Sequence, residues 1–358
     1  MFKTFDPVKS LLTLDDVCID NIVFKLHYKA TFVLLMSFSI LVSATQYFGD
    51  PINCLADVIP PKIMNTYCWI HSTFTLPEKN GIPGRSVVQP GVSIHVEDSD
   101  QVKLHKNYQW VCFALFCQAL LFYVPRYLWL ISEGGKIKML MAFSNKPYTS
   151  DKDKAKNNKL LVDYFIANLH SHNLYAYRFF VCEILNFLNV FLQMYAVDVF
   201  LGGEFSRYGL EVINFTEMDQ YERIDPMTRV FPKLTKCTFP KYGPSGSVEK
   251  HDGLCVLALN VVNEKVYVFL WFWLWFLAAV SAVNLLYRVC ACTGVNFRRQ
   301  IFRARSRLNA KREVDEVFNG CRIGDWFVLS QFSKNAEPLT YKHLITDLVK
   351  EMQAGEFV

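Results

Sequence analysis

The sequence predicts a mostly α membrane protein with four membrane-spanning helices, and three observations carry that prediction. The chain of 358 residues is 52% hydrophobic and 15% aromatic, more apolar than a soluble domain of this size can bury, so much of it must face lipid or other membrane helices. The stretch from Tyr108 to Leu130 has an apolar core broken only by Gln118, Pro125 and Arg126. Its roughly 23 residues, at ~1.5 Å each, are long enough to cross a bilayer's hydrocarbon core. The net charge of +5 is concentrated beside particular helix ends, which is a topological signal and not a nucleic-acid surface.

Residues 1–29 form a cytoplasmic N-terminal segment, in which Val8, Leu11, Leu12, Ile19, Ile22, Val23 and Leu26 fall at helical spacing among charges. This pattern predicts a short amphipathic helix leading into the membrane or lying on its surface. Asp6, Asp15, Asp16 and Asp20 precede any apolar run, so the segment is not read as a cleaved signal peptide. The first span is 30–48, where Ser39, Ser43 and Gln46 share one helix face. A polar stripe in a membrane helix faces water or protein, and small residues that let helices approach closely explain Ser39 and Ser43 equally well.

Loop 49–107 carries Cys54 and Cys68 and turn signals at Pro60-Pro61, Gly81, Pro83-Gly84 and Pro90-Gly91. It reads as irregular structure plus a short hairpin around Val87-Val88 and Val92 to Val96. The second span, 108–132, has Tyr108 and Trp110 at one end and Tyr127 and Trp129 at the other, as expected of interfacial aromatic belts. Arg126 is expected to snorkel outward and Pro125 to kink the helix. Loop 133–176 holds seven Lys and no Arg, which places it in the cytoplasm. The third span is 177–200, with Glu183, Asn186, Asn189 and Gln193 on one flank. Interhelical hydrogen bonding is the preferred reading of that flank, with a water-filled path as the alternative.

Loop 201–265 carries Cys237, Cys255, a Gly243-Pro244-Ser245-Gly246 turn and a strand-like run from Cys255 to Val262. The fourth span, 266–288, is entered through Trp271, Trp273 and Trp275 and followed by a run of Arg and Lys from Arg288 to Arg312. That run is the strongest positive-inside signal in the chain, with binding of anionic lipid or calmodulin as the lesser alternative. It places the tail, 289–358, and hence both termini in the cytoplasm.

Cys54, Cys68, Cys237 and Cys255 then lie outside, and the other seven of eleven cysteines lie in membrane or cytosol. Extracellular thiols oxidise, so two disulfides are expected among the four, in one of three pairings that spacing does not distinguish. Zinc competes for the same residues, but no His-Cys spacing of the usual kind supports it, and no metal or other cofactor is expected. The chain has no phosphate loop, HExxH or G-x-S-x-G and no convincing carboxylate pair in the outer loops. It is not read as an enzyme.

Tyr108-Gln109-Trp110-Val111 followed by Pro125-Arg126-Tyr127-Leu128-Trp129 resembles the signature of the innexins, the invertebrate gap-junction proteins. Tyr47 to Cys54, Thr66-Tyr67-Cys68-Trp69, Lys236 to Phe239, Tyr242 to Gly246, Asp252 to Leu257 and Gly324-Asp325-Trp326-Phe327 resemble further family stretches. The resemblance covers nearly the whole chain and is strongest to insect members. Leu257-Ala258-Leu259 departs from it where Pro is expected after Leu257.

The resemblance implies an oligomer, an octamer by expectation, whose four-helix subunits surround one pore. Two such hemichannels from adjacent cells dock through extracellular α/β loops, with other innexins as possible heteromeric partners and membrane lipids around them. It implies disulfides joining Cys54 to Cys255 and Cys68 to Cys237, and an N-terminal segment, starting at Met1 and Phe2, folded into the pore mouth. The first two spans contribute to the pore wall, with Ser39, Ser43 and Gln46 as candidates, and the cytoplasmic loop and tail form a helical dome. Independently, four helices packed on one another leave no wide aqueous path, so a pore for small solutes lies between subunits. The alternatives are a pannexin-like hemichannel that does not dock and a tetraspanin-like or claudin-like organiser without a pore. The sequon at Asn214-Phe215-Thr216 bears on the first, since a glycan near a docking face obstructs pairing. The absence of a tetraspanin Cys-Cys-Gly weighs against the second.

Overall fold

A computed structural model describes residues 17–79, 89–96, 100–144, 151–218 and 225–355. Among them are four helices long and apolar enough to cross a membrane. The chain divides into two compact units, one of Met1–Phe32, Phe122–Asn189 and Ala278–Val358 and the other of Val33–Leu121 and Val190–Leu277.

The first long helix, α1, runs Ile22–Phe48, so residues 22–29 are its opening turns and not a separate amphipathic element. Asn21 explains the start. Its side chain accepts the Phe24 N–H at 2.7 Å as an N-cap, satisfying a donor that the first turn leaves open. Leu26–Thr31 is wound as a π-helical turn. The expected amphipathic stretch around Val8, Leu11 and Leu12 lies outside the described residues.

In the second unit, β1 (Asn53–Leu55), β2 (Thr73–Thr75), β3 (Lys103–His105), β4 (Leu234–Tyr242) and β5 (Val248–Val256) are the strands among the described residues and form one antiparallel sheet in the order β1-β5-β4-β2-β3. Between β1 and β2 sits α2, Pro61–His71, where the sequence suggested irregular structure. Pro60-Pro61 opens this helix instead of a turn, since a proline at the first helical position has no donor to lose and a φ already set for the helix. The bridge between Gln89 and Val92 folds the chain at Pro90-Gly91, with Gly91 at φ 73°. Val92 to Val96 forms no strand, and Val87-Val88 lies outside the described residues.

The remaining elements follow in chain order. Helix α3 spans Val111–Glu133 with Pro125 inside it and stops where Gly134 and Gly135 take positive φ, conformations that cost glycine little. The Glu133 carboxylate then accepts the N–H groups of Gly135 and Ile137, opening α4, Lys136–Ser144. Helix α5 is Asp151–Ala167, α6 Asn173–Phe200, α7 Phe205–Glu217 and α8 Pro226–Val230. Strands β4, Leu234–Tyr242, and β5, Val248–Val256, pair along their full nine-residue lengths as a hairpin. Its turn uses Gly246 at φ 82°, and Gly243 donates its N–H to Ser247.

Helix α9 runs Ala258–Thr293, so the run from Cys255 to Val262 is extended only as far as Val256. The β-branched content there favours a strand, but the chain turns because Leu257 donates its N–H to the Lys233 carbonyl at 2.8 Å. The Asn260 amide then donates to the Pro232 carbonyl at 2.8 Å, holding the first helical turn in place. After α9 come α10, Val295–Arg305, α11, Lys311–Gly320, α12, Ile323–Asn335, and α13, Pro338–Gly355. With α4 and α5 these helices enclose the core of the first unit, which includes Trp129, Phe165, Phe179, Phe302, Trp326 and Phe332.

Candidate functional site

Both disulfides of the second unit join the loop before α3 to the loop after α6. Cys54 and Cys255 sit opposite each other on β1 and β5, with Cα atoms 4.0 Å apart. Cys68 on α2 bonds Cys237 on β4 across 5.9 Å. All four residues are buried in one small core with Ile52, Ile59, Met64, Tyr108 and Leu257. Bonds spanning 201 and 169 residues remove far more unfolded-chain freedom than bonds within each loop, each contributing roughly 2–4 kcal/mol. Sulfur atoms in disulfides are not the thiolates that zinc requires, so these residues are not a metal site.

The segment entering α3 is fastened to this core. The Tyr108 hydroxyl donates to the Cys68 carbonyl at 3.4 Å, its ring lies 5.0 Å from that of Trp69, and the Gln109 amide donates to the Trp69 carbonyl. Val111 is buried and Trp110 is exposed. The Tyr108-Gln109-Trp110-Val111 motif therefore ties α2 and its disulfide to the head of a spanning helix. At the sheet's other end His105 is buried, and its Nε2 lies 2.8 Å from the Thr75 hydroxyl. Burial, with Lys103 nearby, pushes the His105 pKa down to about 4, so the ring is neutral at physiological pH.

The polar stripe of α1 is turned inward. Ser39 is buried and donates to the Cys112 carbonyl at 2.8 Å, and Gln46 accepts from the Cys112 thiol. Ser39 thus performs the packing role, while Ser43 and Gln46 are half-buried. The opposite face, comprising Ser37, Ile40, Leu41, Ala44 and Phe48, is exposed. Of the four long helices, α1 is the least covered by its own chain.

In the first unit, the residues preceding α1 are held by buried charge. Arg126 does not snorkel. It is buried, donates to Asp20 at 2.9 Å and lies 4.7 Å from the Tyr28 ring centroid. A cation this deep is stable only with a partner, and its pairing with Asp20, more than a hundred residues away, is not legible from local sequence. Glu183 works similarly, accepting from Arg288 through two bonds of 2.7 and 2.8 Å and from Asn21 and Asn284. The flank residue Asn186 is buried beside this group.

The Gly324-Asp325-Trp326-Phe327 motif also acquires a physical meaning. Asp325 accepts from His172 Nδ1 at 2.8 Å and from the N–H groups of His170 and Arg322. Burial raises its pKa, but these bonds outweigh burial and leave the carboxyl below its usual range. Gly324 passes so close to His172 that a Cβ would lie 2.2 Å from that residue's backbone. Asn214 is exposed on α7. Met1 and Phe2 lie outside the described residues.

The family model Innexin matches residues 20–352. The innexin inx2 of Drosophila melanogaster is 60% identical over 357 residues, covering 99% of this chain and 97% of the relative. The inx2 of Schistocerca americana is 57% identical over the full length of both chains. The chain belongs to the innexin family. The innexin shaking-B of Drosophila melanogaster, 44% identical over 98% of this chain and 95% of its own length, fits the same assignment. As an innexin the chain is a membrane-embedded gap-junction channel subunit that oligomerises, and not an enzyme.

Proposed function

We propose that this innexin forms an octameric hemichannel in the plasma membrane, with both termini cytoplasmic, and that it docks through the disulfide-bonded sheet to a hemichannel of the adjacent cell. The observation that carries the docking role is the pair of disulfides that welds the two loops into one sheet. Docking needs a surface whose shape is set before contact, and the sheet offers edge backbone and an exposed hairpin bearing Tyr242 and Val248. Contacts repeated around a ring add as avidity, so each one can be weak. The Lys-rich segment 133–176 and the Arg-rich run after α9 support the cytoplasmic placement of the helices that follow the spans.

The conduction path in this reading lies between subunits and is bordered by α1 and α3 and by the N-terminal segment beginning at Met1 and Phe2. The Ser37, Leu41, Ala44 and Phe48 face of α1 is its wall, with Ser43 and Gln46 at the flank and Ser39 holding the helix in place. Cysteine substitution tests the wall. Ala44→Cys and Ser37→Cys should react with a charged, water-soluble thiol reagent and change conductance, while Ser39→Cys should not. Reaction confined to lipid-soluble reagents at Ser37 and Ala44 would make the face lipid-exposed.

The exposed position of Asn214 favours a second reading, a hemichannel that does not dock. A mobility shift on glycosidase treatment, combined with absent dye transfer between paired cells, would favour it. Co-expression with other innexins tests whether assembly is homomeric or heteromeric.

A further inference from the structure

The first unit contains a cavity of about 420 Å³ that none of the channel features above uses. This lies within the ~300–1,000 Å³ typical of small-molecule sites. Its walls are Cys18, Asp20 and Asn21 before α1, Ile22, Val23 and Lys25 in its first turn, the end of α9 (Asn284, Tyr287 and Arg288), Arg305 closing α10, and one face of α12 from Trp326 to Lys334.

The charge on these walls is unbalanced. Four cations, Lys25, Arg288, Arg305 and Lys334, line the cavity with a single carboxylate, Asp20. Lys25 lies 3.7 Å from Asp20 and Arg288 is held by Glu183, whereas Arg305 and Lys334 have no acidic partner within ion-pair distance among the described residues. Arg305 donates to the Ser330 carbonyl, and Lys334 to Gln331 and the Asp20 carbonyl, all neutral acceptors. Lys334 is exposed, yet the protein packed around its amine, with Arg305 and Arg288 adding to the effect, lowers its pKa to about 8. Converging cations of this kind raise one another's energy, and an anion among them lowers it.

Two further observations point to a ligand. Trp326 lines the cavity and is 3% exposed, and its indole N–H is buried without a hydrogen-bond partner among the described residues. Indole nitrogens this deep are normally paired. The polar cluster also adjoins an apolar wall of Val23, Phe327 and the highly exposed Ile22. A phosphate group supplies several acceptor oxygens and negative charge, and suits a fork-shaped guanidinium beside a lysine.

We propose that this cavity binds a phosphate-bearing anion, with Arg305 and Lys334 as its principal contacts. The bound group would bridge the segment before α1 and helix α12, adding to the reciprocal bonds already made there between Cys18 and Asn335 at 2.6 and 2.8 Å. The same chemistry is available from a lipid headgroup and from a soluble phosphate compound.

The test uses the intact purified protein in nanodiscs of phosphatidylcholine. Binding is measured with added phosphatidylinositol bisphosphate in the discs and, separately, with soluble inositol trisphosphate. Native protein should bind at least one of the two saturably; response to the lipid alone assigns the headgroup, and response to the soluble compound assigns the free anion. Arg305→Gln with Lys334→Gln should weaken binding about tenfold or more, since a charge-assisted contact contributes about that much. Lys334→Arg should retain it. Lys311→Gln with Arg312→Gln, which removes as much charge from an exposed site, should leave it unchanged. No saturable binding of either probe, or an equal loss from both double variants, would overturn the proposal. A misfolded double variant is recognised by its elution profile, and Lys334→Glu alone then provides the charge-reversal test. These readouts do not involve coupling between cells, so their failure leaves the docking reading standing and the converse also holds.

Discussion

Replacing Arg126 with Ala should be among the most damaging single changes outside the disulfides. Asp20 is 2% exposed, and without Arg126 its nearest cation is Lys25 at 3.7 Å, itself partly exposed. Removing one partner of a buried pair costs roughly 3–5 kcal/mol because the remaining charge is stranded. Loss of the Arg126 contact with Tyr28 at 4.7 Å adds about 0.5–1 kcal/mol. A total of about 3.5–6 kcal/mol is a large part of the stability of most domains. Asp20→Asn should be damaging for the same reason, stranding the guanidinium instead. The double variant Asp20→Asn, Arg126→Met removes both charges and should recover more than about half of the loss. The assay is thermal stability of the detergent-purified protein, read as the fraction remaining in the oligomer peak after heating, with surface labelling of cells in parallel. Additive losses in the double variant would show that the pair is not coupled and refute the reasoning.

Three other outcomes follow from the same structure. His105 has a folded pKa of about 4 against ~6.5 unfolded, so the unfolded chain takes up a proton first and stability falls as pH drops from about 6.5 towards 4, by up to roughly 3 kcal/mol; trypsin cleavage within 49–107 should rise over this window and His105→Gln should flatten the rise. Asp325 has a depressed pKa, so its contribution is present above the unfolded value near ~4 and lost as pH falls through the lower folded value; Asp325→Asn should increase proteolysis of α12 at neutral pH, and unchanged cleavage would show that the His172 and backbone bonds are dispensable. Gly209→Ala would place a Cβ 2.1 Å from the Trp271 ring and should cost about 1–3 kcal/mol by overpacking, measured as loss of heat resistance; unchanged heat resistance would show that the Trp271 ring gives way freely.

The spanning helices were legible because their signal is local, a run of apolar residues of sufficient length with charges at its ends. Their boundaries were less so. Asn21 starts α1 through a cap that looks like an ordinary polar residue in sequence, and α9 continues past both ends of its apolar run because hydrogen bonds at Leu257 and Asn260 and helical winding to Thr293 extend it. Helix α2 was hidden behind Pro60-Pro61, a dipeptide that marks turns as readily as helix starts. Composition could assign the four outer cysteines to an oxidising side but not pair them, since pairing depends on strand register between residues 201 positions apart. Arg126 was misread for a related reason, that a lone arginine near a helix end normally reaches water and only the fold brings Asp20 beside it. The stripe of Ser39, Ser43 and Gln46 marks a polar helix face but not what covers it, because neighbouring helix and water are equivalent to a polar side chain read from sequence alone.

The central claim is that this innexin joins cells through a sheet fixed by its cross-loop disulfides, and junctional conductance measures it most directly. Pairs of cells lacking other gap-junction proteins, each expressing this chain, are voltage-clamped independently while current between them is recorded. The native chain should give junctional current, and Cys68→Ser with Cys237→Ser should abolish it while surface labelling shows that protein still reaches the membrane. Normal current from the variant would contradict the account, and so would silence from the native chain both alone and paired with other innexins.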